Sequence, residues 1–309
     1  MNLSGLGIYF RGIAMGAADL VPGVSGGTIA LITGIYTRLV SAIAGIGLDT
    51  ISLVLRGRLT EAWRAIDGQF LVILGAGMAT AVLGLAALLD WLLQHYPLPL
   101  WAAFSGLVLV STLSLVNGNY RVWAPREWVL FILGMALAVF VGLSQAVQLP
   151  VTPLGACLAG CVAICAMILP GISGSFLLLL MGMYQPVISA VVHLELTILA
   201  PFALGCGAGL LLFSRLLQRL LVVAEQPTMA TLFGFLLGSL VILWPWQVTV
   251  SSVLDRQGEM RAVQTFPVTP AHYTEHVGDP MLLMTLGGFT IGVLAVSMLM
   301  LFSGSRGRP

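Results

Sequence analysis

The chain of 309 residues is 59% apolar and only 8% charged, with a net charge of +1. A soluble domain carries about 25% charged residues, so a chain this poor in charge cannot cover its surface in water. The composition excludes a cytosolic enzyme, a nucleic-acid-binding protein and a disordered chain. The surrounding solvent is therefore expected to be membrane lipid.

Six stretches are long and apolar enough to cross a bilayer as helices. They are predicted at 69–93, 98–117, 128–149, 194–213, 228–246 and 281–302. Glycine pairs in the Gly-x-x-x-Gly spacing predict close helix contacts at Gly12/Gly16, Gly234/Gly238 and Gly288/Gly292. The chain is expected to be an all-α polytopic membrane protein.

Two further apolar regions are each interrupted near the middle by a Pro-Gly pair. They cover 5–47, broken at Pro22-Gly23, and 153–192, broken at Pro170-Gly171. In the second region the flanking pieces, 154–169 and 176–192, would each reach about 25 Å as helices, which is less than the hydrocarbon core of about 30 Å. We therefore expect a re-entrant helical hairpin in each region. The alternative is two full spans kinked at proline.

The arginines predict the orientation of the chain through the positive-inside rule. Nine of the thirteen occur in the predicted loops 48–68, 118–127 and 214–227 and at the C-terminal end, which are therefore assigned to the cytoplasm. The polar loop 247–280 holds four acids and two arginines and is predicted to lie outside. Both termini are then cytoplasmic, provided that each broken region enters and leaves the membrane on one side.

A sequence repeat relates the two broken regions. The segment PGVSGGTIALITGIY at 22–36 matches PGISGSFLLLLMGMY at 170–184 in seven of fifteen positions, at an offset of 148 residues. Each half of the chain contains one predicted hairpin and three spans. Because a hairpin returns to the side it entered from and three is odd, the second half starts on the opposite side of the membrane and is inserted upside down. We predict a single transmembrane domain over 1–309, built from two inverted-topology repeats, 1–150 and 151–309.

After each Pro-Gly pair comes Ser-Gly and a new helix, which makes Ser25 and Ser173 predicted N-caps. The N-terminus of a helix offers unpaired N–H groups and the positive end of the dipole, and so binds an anion without a basic side chain. We predict a phosphate or carboxylate site near the membrane midplane. Its residues are Ser25, Gly26, Gly27, Thr28, Ser173, Gly174, Ser175 and Arg11. The alternative is that the glycines only permit close packing and the serines bond back to carbonyl groups.

Asp19 lies near the deepest point of the first predicted hairpin, where an ionised carboxylate is costly. It ends a predicted helix, and the dipole at that end does not stabilise a negative charge. Its counterpart in the second repeat is Met167, so the symmetry is broken here. We hypothesise that Asp19 couples the binding of a proton or cation to that of the substrate. The alternative is a carboxylate paired with an arginine or with backbone donors.

No metal or cofactor is predicted. Cys157, Cys161 and Cys165 lie one helical turn apart, but the packing of small residues explains them better than a metal site does. His272 and His276, in the predicted external loop, are not assigned as metal ligands.

The segments RGIAMGAADLVPGVSGGTIALITGIY and AMILPGISGSFLLLLMGMY, with two Gly-x-x-x-x-Ser spans, resemble the PopT family of polyprenyl-phosphate transporters over nearly the whole chain. The resemblance implies a flippase that returns undecaprenyl phosphate from the outer to the inner leaflet of the bacterial plasma (inner) membrane, where the lipid carrier is reused for envelope synthesis. It implies a head-group phosphate at the serine-glycine loops, with Asp19 and Arg11 beside it. The partners would be polyprenyl phosphate, membrane lipids and a coupling proton or cation.

Two other functions fit parts of the pattern. The loops resemble the PGxSRS signature of undecaprenyl-pyrophosphate phosphatases, but Gly26 and Gly174 replace its arginine and no paired-Glu motif is present to activate water. We therefore expect no enzyme. An intramembrane serine protease is also disfavoured, because no histidine lies in any of the six predicted spans. A carrier for a small soluble anion is the remaining alternative.

Overall fold

The computed structural model describes residues 4–20, 25–144, 149–254 and 260–304, so the predicted break at Pro22 and Gly23 lies outside the described residues. The described residues are mostly helical, as predicted. The helices and strands in chain order are α1 (Gly5–Asp19), α2 (Gly26–Ile32), α3 (Tyr36–Ala44), α4 (Leu48–Leu55), α5 (Leu59–Ala65), α6 (Gly68–His95), α7 (Pro97–Asn119), α8 (Pro125–Leu143), α9 (Pro153–Ile168), α10 (Gly174–Leu180), α11 (Tyr184–His193), α12 (Leu196–Val223), α13 (Glu225–Leu243), β1 (Gln247–Leu254), β2 (Met260–Pro267), α14 (Pro270–His276) and α15 (Leu282–Gly304).

The described residues divide into two compact units, and each unit takes segments from both halves of the sequence. Unit 1 comprises the described parts of 1–86 and 146–229, and unit 2 those of 87–145 and 230–309. Unit 1 therefore holds both regions that carry the repeat.

Five helices are long and apolar enough to cross a membrane, namely α7, α8, α12, α13 and the Gly68–Leu85 part of α6. The sixth predicted span, 281–302, coincides with α15, in which a shorter apolar stretch runs over Leu282–Met298. By length and composition, the described part of the chain holds five candidate spans. The number rises to seven if each of two bent helix pairs is counted as one further span. The chain is thus a multi-pass membrane protein, as expected.

The predicted cytoplasmic loop 214–227 is helical over most of its length, because α12 continues to Val223 and α13 begins at Glu225. The prediction of a loop was wrong because polarity alone was used, whereas Leu, Arg and Gln all favour helix. Arginine side chains are long enough to carry their charge to a membrane surface while the helix continues. In this helical part, Arg215 donates to the carbonyl group of Ile46 at 3.0 Å.

The prediction of one helical piece over 176–192 was also wrong. The segment is divided into α10 and α11, which meet at 111°, and Gly182 between them has a φ of 67°. Gly34 separates α2 from α3 in the same way, with a φ of 74°. A positive φ is strained for residues that carry a Cβ, so a glycine allows each turn. Because α10 and α11 begin 148 residues after α2 and α3, the local structure repeats with the offset of the sequence.

Helices approach one another closely at the predicted Gly-x-x-x-Gly pairs. A Cβ added to Gly12 or Gly16 of α1 would overlap the backbone of α6. A Cβ added to Gly234 or Gly238 would likewise overlap the backbone of α8, and one added to Gly288 or Gly292 would overlap the backbone of α7. Such contacts between small residues are what hold helices together in lipid, where apolar burial gives no advantage over acyl chains.

We expect Gly205→Ala in α12 to lower the thermal unfolding temperature, because the added methyl group would overlap the main chain of Cys157 in α9. Overpacking of this kind costs about 1–3 kcal/mol of unfolding free energy. Gly207→Ala is the matched control two residues along the same helix, with open space around its Cβ. It is expected to be neutral or stabilising, since alanine is the better helix former. Equal unfolding temperatures of the two variants would contradict the close contact.

The segment predicted as an external loop, 247–280, has regular structure in unit 2. It contains an antiparallel hairpin of β1 and β2 and the short helix α14. The indole N–H of Trp244 donates to the carbonyl group of Val268 at 2.8 Å. This bond ties the start of α14 to the end of α13.

Candidate functional site

The first serine-glycine loop ends at Ser25, which caps α2 as predicted. The Ser25 Oγ accepts a hydrogen bond from the N–H of Gly27 at 3.1 Å, and its backbone is extended, as N-cap geometry requires. Ser25 and Thr28 are 1% and 2% exposed. Polar groups this deeply buried need partners, and both hydroxyl groups have them.

The carboxylate of Asp19 lies at the start of α2. Its Oδ1 accepts a hydrogen bond from the N–H of Gly26 at 2.6 Å, and a Cβ on Gly26 would lie 2.6 Å from its Oδ2. Pairing with a backbone donor was one form of the alternative considered for Asp19, and the structure contains that pairing. The favourable contact with the first N–H group of α2 does not follow from the position of Asp19 at the end of α1.

The second loop differs from the first. Ser173 stands at the predicted N-cap position of α10, but its side chain makes no capping hydrogen bond. Its hydroxyl group is paired instead with that of Ser175, at an Oγ–Oγ distance of 2.8 Å. A Cβ on Gly174 would meet the side chain of Met167, so Met167 stands over Gly174 as Asp19 stands over Gly26. The second loop therefore has a thioether where the first has the carboxylate of Asp19, and it has the hydroxyl group of Ser175 where the first has Gly27.

The two loops are hydrogen-bonded to one another within unit 1. The N–H of Gly171 donates to the Thr28 Oγ1 at 2.9 Å. Ser25 Oγ donates to the carbonyl group of Met167 at 3.2 Å. The hydroxyl group of Tyr36 donates to the carbonyl group of Ile168 at 3.0 Å.

These bonds satisfy main-chain groups at the break after α9. The last carbonyl groups of a helix lack partners within it, and here side chains from more than 130 residues earlier supply them. Pro170 and Gly171, the predicted break, are both buried, and Gly171 has a φ of 86°. The role of Tyr36 was not predicted, although Tyr36 and Tyr184 occupy matching positions in the repeat.

The structure does not bring Arg11 to the two loops. Its Nη1 donates to the carbonyl group of Gly7 at 2.9 Å and its Nε to that of Thr33 at 3.3 Å. Thr33 follows the C-terminal end of α2, whereas Asp19 lies at its N-terminal end. The seven residues of α2 separate the two ends by about 10 Å. Among the described residues the ion pairs are Arg38–Asp67, Arg58–Glu61 and Arg126–Glu127, so Arg11 and Asp19 are not paired.

Comparison with known proteins gives the family. Residues 15–261 match the VCA0040-like family model, described as undecaprenyl phosphate translocase-like. The chain is 41% identical over 276 residues to a polyprenyl-phosphate transporter of Vibrio cholerae, covering 89% of each chain. It is 34% identical over 252 residues to a polyprenyl-phosphate transporter of Staphylococcus aureus, covering 76% of this chain and 84% of the relative. No solved structure is significantly similar to the chain.

These matches confirm the resemblance found in the two Pro-Gly motifs. Both relatives are named as transporters, in agreement with the prediction that the chain is not an enzyme. The family model alone covers well over half of the chain. The chain therefore belongs to the undecaprenyl phosphate translocase-like family.

Proposed function

We propose that the chain is a flippase that moves undecaprenyl phosphate across the plasma (inner) membrane of a bacterium and returns the carrier lipid to the cytoplasmic leaflet. The family and the names of the relatives support this substrate. The observation that carries the proposed mechanism is the hydrogen bond between Thr28 and Gly171, which joins loops from the two halves of the chain. A binding site shared by two repeats is a common plan among secondary transporters.

The proposed phosphate site is centred on the second loop, with Ser25, Gly26, Gly27 and Thr28 of the first loop opposite. The Ser173 and Ser175 hydroxyl groups bond to one another at 2.8 Å and can both turn to donate to phosphate oxygens. The first N–H groups of α10, beginning with Gly174, would add donors that carry no charge of their own. Because Met167 takes the place of a carboxylate, an anion meets no fixed negative charge on this loop.

The proposed coupling acts through Asp19. Its carboxylate is bonded to Gly26 in the loop that faces the bound phosphate, and two negative charges in a medium of low dielectric constant repel strongly. A proton or cation on Asp19 would remove that repulsion. Substrate and coupling ion would therefore be bound together.

The proposed topology has re-entrant hairpins at α1–α3 and α9–α11 in two inverted repeats, 1–150 and 151–309, with both termini in the cytoplasm. The matching helix starts at an offset of 148 residues support the repeat. The 111° bend between α10 and α11 supports a segment that turns back on itself.

Leaflet-resolved transport of a labelled undecaprenyl phosphate in liposomes tests the proposal. We expect protein-dependent transport, and we expect Ser173→Ala with Ser175→Ala to slow it by about tenfold or more, since each lost hydrogen bond to a charged group is worth about 1.5–3 kcal/mol. Ser297→Ala is the control, because its hydroxyl group bonds to the carbonyl group of Val293 within its own helix. Absence of protein-dependent transport would overturn the function, and an unimpaired double variant would overturn the site.

Two further arms of the assay separate the alternatives. Inorganic phosphate in excess should not stop lipid transport, whereas a carrier for soluble anions would be inhibited. Incubation with the pyrophosphate form of the lipid should release no phosphate. Release at a catalytic rate would favour a phosphatase.

A further inference from the structure

Helix α14 in unit 2 carries three side chains that metals prefer, in the order His-x-x-Glu-His. The helix runs over Pro270–His276 and is capped by Thr269, whose Oγ1 accepts from the N–H of His272 at 3.3 Å. Pro270 occupies the first turn, where its missing N–H is not needed. No helix was predicted here, so the spacing of these residues was not recognised as a ligand pattern.

On the helix, Glu275 follows His272 by three residues and His276 follows it by four. Both therefore neighbour His272 on one face of the helix. Their ligand atoms all lie within 4.8 Å of one another, and all three residues are exposed. The two imidazole rings are stacked, with centroids 4.0 Å apart and an interplanar angle of 29°. Rotations of the two side chains could bring both rings onto one ion.

A hydrogen bond sets the tautomer of His276. Its Nδ1 lies 3.0 Å from the carbonyl oxygen of His272, and a carbonyl group can only accept, so Nδ1 carries the hydrogen. The Nε2 of His276 then has a free lone pair. This arrangement, in which one ring nitrogen donates to a carbonyl group and the other binds the metal, is usual for histidine ligands.

We propose that His272, Glu275 and His276 form a site for a divalent transition-metal ion, with Zn²⁺ the best match. Two imidazole nitrogens and one carboxylate suit Zn²⁺ and leave its fourth tetrahedral position for water or an anion. An open cavity of about 490 Å³ on the His272 side, lined by Trp244, Val268 and Thr269 among others, has room for that fourth ligand. Its residues belong to unit 2, whereas those of the proposed lipid site belong to unit 1.

Zinc binding by the full-length protein tests the proposal. The protein is purified with a tag that contains no histidine, stripped with a chelator, and titrated with Zn²⁺ against a chromogenic competitor. We expect one saturable Zn²⁺ per chain, and more than about 100-fold weaker binding in His272→Ala with His276→Ala, because losing ligands costs more than losing the groups that orient them. Glu275→Gln should weaken binding less.

The matched control is His95→Ala with His193→Ala, which also removes two histidines but lies outside the cluster. Co²⁺ provides a second readout, since its visible spectrum reports nitrogen ligands directly. Metal-free unfolding temperatures of both double variants are compared with that of the unaltered protein, so that misfolding is not read as lost affinity. Equal zinc affinity in the two double variants, or no saturable site in the unaltered protein, would overturn the proposal.

Discussion

Asp19→Asn is expected to abolish the response of lipid transport to a pH gradient while leaving the lipid able to bind. If one proton accompanies each lipid, a gradient of one pH unit supports about a tenfold difference in lipid between the leaflets, because a tenfold ratio corresponds to about 1.4 kcal/mol. In the variant that difference should disappear. The measurement is the leaflet distribution of labelled undecaprenyl phosphate in liposomes with an imposed pH gradient.

The geometry of the first loop makes asparagine a suitable probe. The Asp19 Oδ1 accepts from the N–H of Gly26 at 2.6 Å, and the amide oxygen of asparagine can accept the same bond. The variant therefore keeps the start of α2 in place and removes only the charge and the titration. A carboxylate that served structure alone would be replaced without a change in pH response.

Asp49→Asn is the matched control. Asp49 lies in the first turn of α4 in the same unit, within the predicted cytoplasmic loop 48–68, and is exposed. A charge in cytoplasmic water is screened by ions. Its loss should leave the pH response intact. If Asp19→Asn and Asp49→Asn respond alike to the gradient, Asp19 is not the coupling residue.

The long apolar helices could be predicted because mean hydropathy over some twenty residues is a local property. The turns at Gly34 and Gly182 were not, because the short pieces between them and the Pro-Gly pairs are as apolar as a continuous helix. A signal was nevertheless present, since glycine two residues before tyrosine recurs at the offset of the repeat. Two glycines at matching positions indicate a shared backbone requirement, here a positive φ.

The candidate site was predictable only where it is local. Ser25 caps the helix that follows it directly, and serine before a helix is a short-range pattern. The bond from Gly26 to Asp19 depends on how the chain reverses between α1 and α2, and that from Gly171 to Thr28 joins residues 143 positions apart. Neither bond can be predicted from the spacing of residues in the sequence. For the same reason the sequence analysis placed Arg11 at the site and left Tyr36 out.

Thr28→Val and Tyr36→Phe together are expected to lower both the thermal unfolding temperature and the rate of transport. Valine keeps the shape of threonine but leaves the N–H of Gly171 without its acceptor. Phenylalanine keeps the ring of tyrosine but leaves the carbonyl group of Ile168 without its donor. Thr28 and Tyr36 are each 2% exposed, so water cannot replace them. A buried group left unsatisfied costs about 1–3 kcal/mol, so the double variant should lose about twice that.

Transport is measured well below the unfolding temperature of the variants, so that a defect reports the position of the second loop and not the fraction unfolded. Thr28→Ser restores a hydroxyl group and should recover most of the rate, which a purely steric role for threonine would not allow. Thr290→Val is the control, because that hydroxyl group is exposed and bonds to Leu286 in its own helix. Should Thr28→Val transport lipid as fast as Thr290→Val, the bond between the two loops has no part in transport, and the second loop must be held by its own half of the chain.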